Sequence, residues 1–466
     1  MNENQNCPFT KSAIVIMDKY FKDWCYLTSS RCFVNIHNGT KINKEAFSDM
    51  LGYIDFPLKI GANKDGSLKL DNAKLAADSF NKNKFKRYPS AHLSTIDSAM
   101  ELGKTYQDKN GVDLINLWGG TNIKPVNHEG NEAVDLFMDL INKIIHKDDV
   151  DNIVKWMAHL IQNPTKKVLW SPILVGTKGN GKTSIASVIS AIIGDRYSKV
   201  IDKDTLKDKF NGWVENKCFS VIEEIKVGGD FDIIDKIKKY VTNTTIPARV
   251  MHQQSADITN HCDFFICSNH IDALKIENDE RRWYPIITNQ RPGDEMAVEE
   301  TFGKNKGAEY FNNFHSKVTN SKEGLECICY FLSNIDLTDF NKGSAPESVH
   351  KSEFVAMTMS NSAMLIKELI DDYCLDIDGV LIKRSIDDAG KTARTNVAGT
   401  KAFNSAISEL GYEQLGRVNV VGNSIKSMLY VHRTKVGAYG NTKDAWEMFK
   451  SKRDPNNVYH YKDSDR

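Results

Sequence analysis

The most specific chemistry in this chain lies in one short stretch. Gly176-Thr177-Lys178-Gly179-Asn180-Gly181-Lys182-Thr183, followed by Ser184, fits GxxxxGK[ST] in full. Glycines let backbone N–H groups wrap an anion, because no Cβ blocks the approach, and a helix N-terminus adds partial positive charge. Lys182 is expected to reach the β and γ phosphates of ATP, and Thr183 to ligate Mg²⁺. The flanks suit such a loop. Ile173-Leu174-Val175 precedes it as an apolar run, and Ile185, Val188, Ile189 and Ile192 follow on one helical face.

A phosphate loop needs acidic partners at the end of a neighbouring strand. Cys218-Phe219-Ser220-Val221-Ile222 runs straight into Glu223-Glu224, 41 residues after Lys182. Glu223 would hold Mg²⁺ through water and Glu224 would act as general base on the attacking water. A third apolar run, Asp263 to Cys267, leads to Ser268-Asn269, where Asn269 can orient that water. Arg281 and Arg282 lie in Asp279-Glu280-Arg281-Arg282-Trp283. One of them can enter a neighbouring subunit's site and stabilise transition-state charge; the competing reading is a surface salt bridge to Asp279 or Glu280.

Short apolar runs over 168–175, 218–222 and 264–267, with helical stretches between, predict an α/β core with a mostly parallel sheet. Ahead of it, Val134, Phe137, Met138, Ile141, Ile144 and Ile145 form one stripe, and Val150, Ile153, Val154, Met157, Leu160 and Ile161 another. The polar link 146–149 makes these an antiparallel helical hairpin, ended by Pro164. Residues 1–120 read as a small α+β domain. Its basic run Lys82 to Arg87 reads as a solvated face before a phosphate contact. Residues 383–453 hold 13 Lys+Arg against 6 Asp+Glu. A helix through Phe403, Ile407 and Leu410 ending at Gly411, then a hairpin Arg417–Val421/Met428–Val431, fits a winged-helix-like module with a basic face.

The 466 residues suggest two to four domains at roughly 100–200 residues each. With 41% hydrophobic and 26% charged residues, disorder as the main state is excluded. Lys+Arg and Asp+Glu are 61 each, which excludes a globally basic nucleic-acid coat. No apolar stretch is long enough for a membrane span, and the polar start lacks the apolar core of a secretory signal. Nine scattered cysteines without CxxC spacing support neither a zinc site nor a disulfide framework. Cys218, Cys262 and Cys267 read as small core residues, and a bacterial cytoplasm is the expected setting.

The order GTKGNGKT, SVIEE, FFICSN and ERRW, all within about 110 residues, resembles a superfamily 3 helicase of the AAA+ class, in particular the helicase part of phage, plasmid and satellite primase–helicases. Trp118 in NLWGG and Gln162-Asn163-Pro164 before the loop are similar to the phage group as well. The resemblance, over about 110–340, implies a P-loop AAA+ domain over 166–340 behind a helical hairpin or collar at 121–165; the charge count and hairpin pattern give the basic C-terminal domain, over 345–466. Residues 1–120 would serve origin recognition, recruitment or a collar. It implies Walker A at 176–183, Walker B at Glu223 and Glu224, a sensor at Asn269, and a finger at Arg282 or, second, Arg281. It also implies a β-hairpin over 244–260 whose tip, near Arg249, His252, Gln253 and Gln254, grips single-stranded DNA. Relatives usually carry a lysine there and this chain does not. Lys236, Lys238 and Lys239 stay outside the site.

A finger that serves a neighbour implies a head-to-tail ring, with a homohexamer the family's usual form. The function so implied is an ATP-dependent replicative DNA helicase acting on single-stranded or forked DNA; the N-terminal part shows no acidic pair assignable to a polymerase site, so no primase activity is expected. The alternative is an AAA+ switch or loader that controls a replication-initiation partner. A P-loop kinase of a small molecule would leave Asn269, the paired arginines and the hairpin unexplained.

Overall fold

The computed structural model describes residues 15, 18–50, 58–62, 68–71, 88–224, 231–249, 256–270, 276, 280–304, 306–395, 399–421, 425–439, 441–454, 456, 457 and 459. The first strands are β1 (Trp24–Leu27), β2 (Cys32–Asn35) and β3 (Lys41–Asn43), followed by α1 (Lys44–Met50). Then come β4 (Leu58–Ala62), β5 (Leu68–Asp71), β6 (Ser90–Ala91), β7 (Leu93–Thr95), β8 (Thr105–Gln107) and β9 (Asp113–Asn116). They form the small sheets β3-β2-β1-β6 and β7-β9-β8 and the pair β4-β5. Phe47 of α1 stacks on Phe33 of β2 at 3.9 Å, which closes the first sheet's core.

Next is the helical hairpin, α2 (Ala133–Ile144) and α3 (Lys147–Gln162). The two apolar stripes face inward, and Phe137, Leu140, Ile141, Ile153, Trp156, Met157 and Leu160 are buried. Gln162 Nε2 donates to Leu332 O and Ile335 O, both at 2.9 Å, so the end of α3 is tied to the end of a later helix.

The central sheet consists of β10 (Ser171–Val175), β11 (Ser198–Ile201), β12 (Phe219–Ile222), β15 (Asp263–Ser268) and β16 (Trp283–Ile287). Its order is β11-β12-β15-β10-β16, and every pairing is parallel. Between these strands lie α4 (Lys182–Ile193), α5 (Lys203–Lys207), α6 (Phe231–Thr242) and the antiparallel hairpin β13 (Thr245–Ala248) with β14 (Ala256–Thr259). Alternate strand residues enter two different cores. Leu174, Val221 and Phe265 join α2, α3 and α4 on one face. Ile173, Val175, Ile222 and Ile266 join α6 on the other. Burial on both faces is why these strands read as unbroken apolar runs rather than alternating ones. The runs expected over 168–175 and 218–222 are shorter as strands, starting at Ser171 and Phe219. Val168 is instead buried in the α3–α4 core, with its N–H on Asp263 Oδ1 at 2.9 Å.

After the sheet come α7 (Glu295–Phe302), α8 (Gly307–Phe314), a π-helical turn (His315–Thr319) and α9 (Lys322–Ser333), which packs on α2 and α3. The last elements are α10 (Lys351–Thr358), α11 (Asn361–Asp372), β17 (Val380–Ile382), α12 (Lys383–Thr392), α13 (Thr400–Glu409), β18 (Tyr412–Val421), β19 (Ile425–His432) and α14 (Thr442–Lys452). The sheet β17-β19-β18 has α11–α13 on one face and α14 on the other. The expected hairpin is thus present and longer at both ends. Among the described residues no helix is long and apolar enough to cross a membrane.

Candidate functional site

The parallel sheet aligns three strand ends. Val175 pairs with Ser268, and Ile222 pairs with Ile266. The residues that follow, Gly176, Glu223 and Asn269, therefore emerge side by side at the carboxyl edge. The chain leaves β10 for the far edge at β11, walks back through β12 and β15, and then passes β10 to reach β16. The crevice beside β10 is thus a topological switch point, the usual ligand position in an open parallel sheet. A cleft of about 310 Å³ opens there. Its walls include Lys178 to Ser184, Glu223, Glu224, Cys267, Ser268 and Asn269. The structure brings these sequence-picked residues together around one space.

The loop has no room for side chains where it turns. A Cβ on Gly176 would sit 1.8 Å from Thr288 Oγ1. Gly181 has φ +98°, and a Cβ there would meet Leu140 at 2.8 Å and Phe311 at 3.0 Å. Thr177 N–H donates to Gln290 O at 3.0 Å. Asn180 Nδ2 donates to Thr288 Oγ1 at 2.9 Å, and that hydroxyl donates to Gln290 O at 2.7 Å. Thr177 and Asn180 are accordingly buried, whereas Lys178, Gly179 and Thr183 face solvent.

Lys182 opens α4 and is only 5% exposed. Its Nζ donates to Gly176 O at 2.8 Å, Thr177 O at 2.7 Å and Asn180 Oδ1 at 3.0 Å. Burial pushes its pKa down to about 8, with the Cys267 sulfur opposing the shift. Burial likewise pushes the Cys267 thiol up to about 12, so it is a neutral wall of the cleft and no nucleophile. Glu223 is half-buried. Glu224 is exposed, lines the cleft and holds φ +51°, a left-handed backbone conformation that ends the strand's extended path.

The remaining picks lie elsewhere. Arg281 and Arg282 immediately precede β16, and Ser171 pairs with Trp283, so both arginines sit at the amino edge of the sheet. Arg282 Nη1 donates to Glu280 Oε1 at 2.8 Å and Oε2 at 2.9 Å, which is the salt bridge named as the competing reading. Arg281 is exposed, with no side-chain partner among the described residues. Arg249 lies on the β13–β14 hairpin, whose root is at the amino end of β15. Its backbone is held by Asn211, and it takes no part in the cleft. His252, Gln253 and Gln254 lie outside the described residues.

Four contributors escaped the sequence reading. Thr288 and Gln290 buttress the loop from beyond β16, and Phe311 and His315 wall the cleft from α8 and the π-turn. They lie more than 100 residues from the loop in sequence and form no motif with it. Only Phe311 and His315, spaced i and i+4, carry a local signal, one shared helical face. π-turns recur at functional sites.

Comparison with known proteins adds relatives. A protein family described as "Family of unknown function (DUF5906)" matches residues 174–282, the span from β10 to Arg282. The solved apo structure of the NrS-1 C-terminal region (305–718) covers 92% of this chain and 99% of its own, with TM-score 0.61 and 16% identity. The two share a fold. In sequence, the DNA primase-polymerase of Nitratiruptor phage NrS-1 is 22% identical over 293 residues, covering 60% of this chain and 38% of that protein. The chloroplastic chaperone protein ClpC4 of Oryza sativa subsp. japonica is 26% identical over 210 residues, 40% of this chain and 22% of its own. The chain thus spans well under half the length of the curated relatives it matches.

Proposed function

We propose that this chain is the ATP- and Mg²⁺-dependent motor of a phage, plasmid or satellite replication system, a superfamily 3-type AAA+ helicase acting on single-stranded or forked DNA. One observation carries the reading. The parallel register gathers the GxxxxGK[ST] loop, the Glu223–Glu224 pair and Asn269 on one cleft, while both arginines stand at the opposite edge of the sheet. Similarity to a phage DNA primase-polymerase supports the replication setting.

The residues present fit a metal-bound triphosphate. A glycine cradle that a Cβ would fill, the backbone N–H groups opening α4 and the Lys182 amine suit phosphate oxygens. The Thr183 hydroxyl and Glu223 carboxylate are hard oxygen donors suited to Mg²⁺. When bound, the ion neutralises phosphate charge. Lys182 exchanges loop carbonyls for phosphate oxygens. Glu224 takes the proton from the attacking water, and Asn269 holds that water in line. Thr288 and Gln290 keep the loop in its binding shape. An arginine from the adjacent copy supplies positive charge at the γ-phosphate, so hydrolysis requires a head-to-tail ring, with a hexamer the expected count.

Strand displacement on a forked duplex tests the reading, with Lys182→Ala as the inactive control. Unwinding that depends on ATP, together with hydrolysis stimulated by single-stranded DNA, is the expected result. Hydrolysis that ignores DNA and displaces no strand would favour the AAA+ switch or loader instead.

A further inference from the structure

The C-terminal module carries a second, separate surface, and we infer that it binds double-stranded DNA. In α13 the residues Phe403, Ala406, Ile407 and Leu410 are buried. The opposite stripe is Lys401, Asn404, Ser405 and Ser408, at i, i+3, i+4 and i+7, and all four are exposed. That stripe consists of hydrogen-bonding side chains, holds no acidic group and has no large residue besides Lys401.

The sheet behind α13 extends the surface. Tyr412 and Tyr430 face α11–α13, whereas Val418, Val420, Leu429 and Val431 face α14. Arg417 pairs with Met428, which packs on the α11–α13 core, and Asn419 pairs with Lys426. Arg417 and Lys426 therefore project on the same side of the sheet as α13, further along the hairpin than the helix reaches, and both are exposed.

Charge pairing neutralises most cations of the module. Lys383, Arg384 and Lys391 are matched by Asp387 and Asp388, Arg433 by Glu413, Lys435 and Lys452 by Asp378, and Lys450 by Glu447. Five cations of the span 383–453, Arg394, Lys401, Arg417, Lys426 and Lys443, have no ion-pair partner among the described residues. Three of these five lie at the start of α13 and on the same side of the hairpin, whereas Arg394 follows α12 and Lys443 lies on α14.

The shape selects a duplex. A helix about 10–12 Å across fits a major groove about 12 Å wide, and short side chains let its backbone approach base edges. Asn404 already accepts from Tyr430 Oη at 3.1 Å, which leaves its amide N–H groups available as donors. Ser408 Oγ accepts from Arg433 at 3.0 Å, so Ser405 is the serine of the stripe with no side-chain partner among the described residues. Cations flanking the helix would grip phosphates on either side. A single strand would call for exposed aromatic rings to stack on bases. Among the described residues of this module no aromatic ring is fully exposed: Phe403, Tyr412, Tyr430, Trp446 and Phe449 are buried, and Tyr373, Tyr439 and Tyr459 are half-buried.

The test uses the full chain without nucleotide and a 20-base-pair duplex closed by a hairpin loop at each end, so that nothing can thread a ring. It is therefore independent of the motor assignment. The wild type is expected to bind this dumbbell. Lys401→Ala/Arg417→Ala/Lys426→Ala should weaken binding by about tenfold or more and lower the salt slope by about 3. Ser405→Glu, on the exposed stripe, should weaken it as well. ATP hydrolysis stimulated by single-stranded DNA should be unchanged in both variants. Wild-type affinity in the triple variant, no dumbbell binding by the wild type, or equal loss of single-strand and duplex binding would each overturn the inference.

Discussion

Arg282 and Glu280 form a closed pair at the amino edge of the central sheet, one guanidinium nitrogen donating to both carboxylate oxygens. Glu280 is buried and has Lys238 at 3.8 Å as a second cation, so the pair is part of the framework. From Arg282 to the level of Gly176 the chain spans about six strand residues, roughly 20 Å at 3.3 Å each. Neither Arg281 nor Arg282 can serve its own cleft. Mixing Lys182→Ala protein with Arg281→Ala/Arg282→Ala protein should therefore restore ATP hydrolysis, because some interfaces then combine an intact loop with an intact arginine. Each variant alone should be at least about 100-fold below wild type. A mixture no more active than its components would remove the trans arrangement.

Under the proposed function, the depressed pKa of Lys182 sets a pH limit on nucleotide binding. The protonated amine is the form that attracts a polyphosphate, and an anion beside it favours that form. Above about pH 8 the free amine is largely neutral, so binding must draw a proton from solvent. ATP affinity should be flat below pH 8 and weaken above it, by up to about tenfold per pH unit. Calorimetry at pH 9 in two buffers of different ionisation enthalpy should detect nearly one proton taken up per ATP, and almost none at pH 7. Equal affinity at pH 7 and pH 9 would contradict this account.

Lys167 and Asp263 form a buried pair that fixes the strand ends. Asp263 Oδ1 accepts Val168 N–H at 2.9 Å, and Lys167 Nζ lies 3.9 Å away and donates to Cys262 O. Burial lowers the pKa of the lysine and raises that of the carboxyl, while their mutual attraction opposes both shifts. Lys167→Met should cost about 3–5 kcal/mol, because it strands a carboxylate in the core. Lys167→Met/Asp263→Asn should recover part of that cost. Denaturant melts of both variants check this, and equal stability for the single and double variants would argue against a coupled pair.

Phe311 stands at the cleft on α8, within an aromatic cluster with Phe302 and Tyr310 at 5.1 and 5.4 Å. Its ring wall should contribute binding and not chemistry. Phe311→Ala is expected to raise KM for ATP about tenfold with kcat within about twofold, whereas Glu224→Gln should abolish kcat and keep nucleotide binding. A fall in kcat alone for Phe311→Ala would place the ring in the chemical step.

The sequence by itself determined the local parts. A loop that must wrap an anion needs glycines at fixed positions, and strands buried on both faces need unbroken apolar runs, so Gly176 to Thr183 and the strand leading to Glu223 were legible from residue types alone. The stripes of α2 and α3 and the hairpin read over 417–431 were legible for the same reason, since their periods are set by backbone geometry. Tertiary structure alone decided which strand lies next to which. That order put Asn269 beside the loop, Thr288 and Gln290 beneath it, and Arg281 and Arg282 a strand's length away. It also decided which cations of the last module are neutralised and which remain unpaired. Such facts depend on contacts between residues about 100 positions apart, and no local pattern in a chain records them.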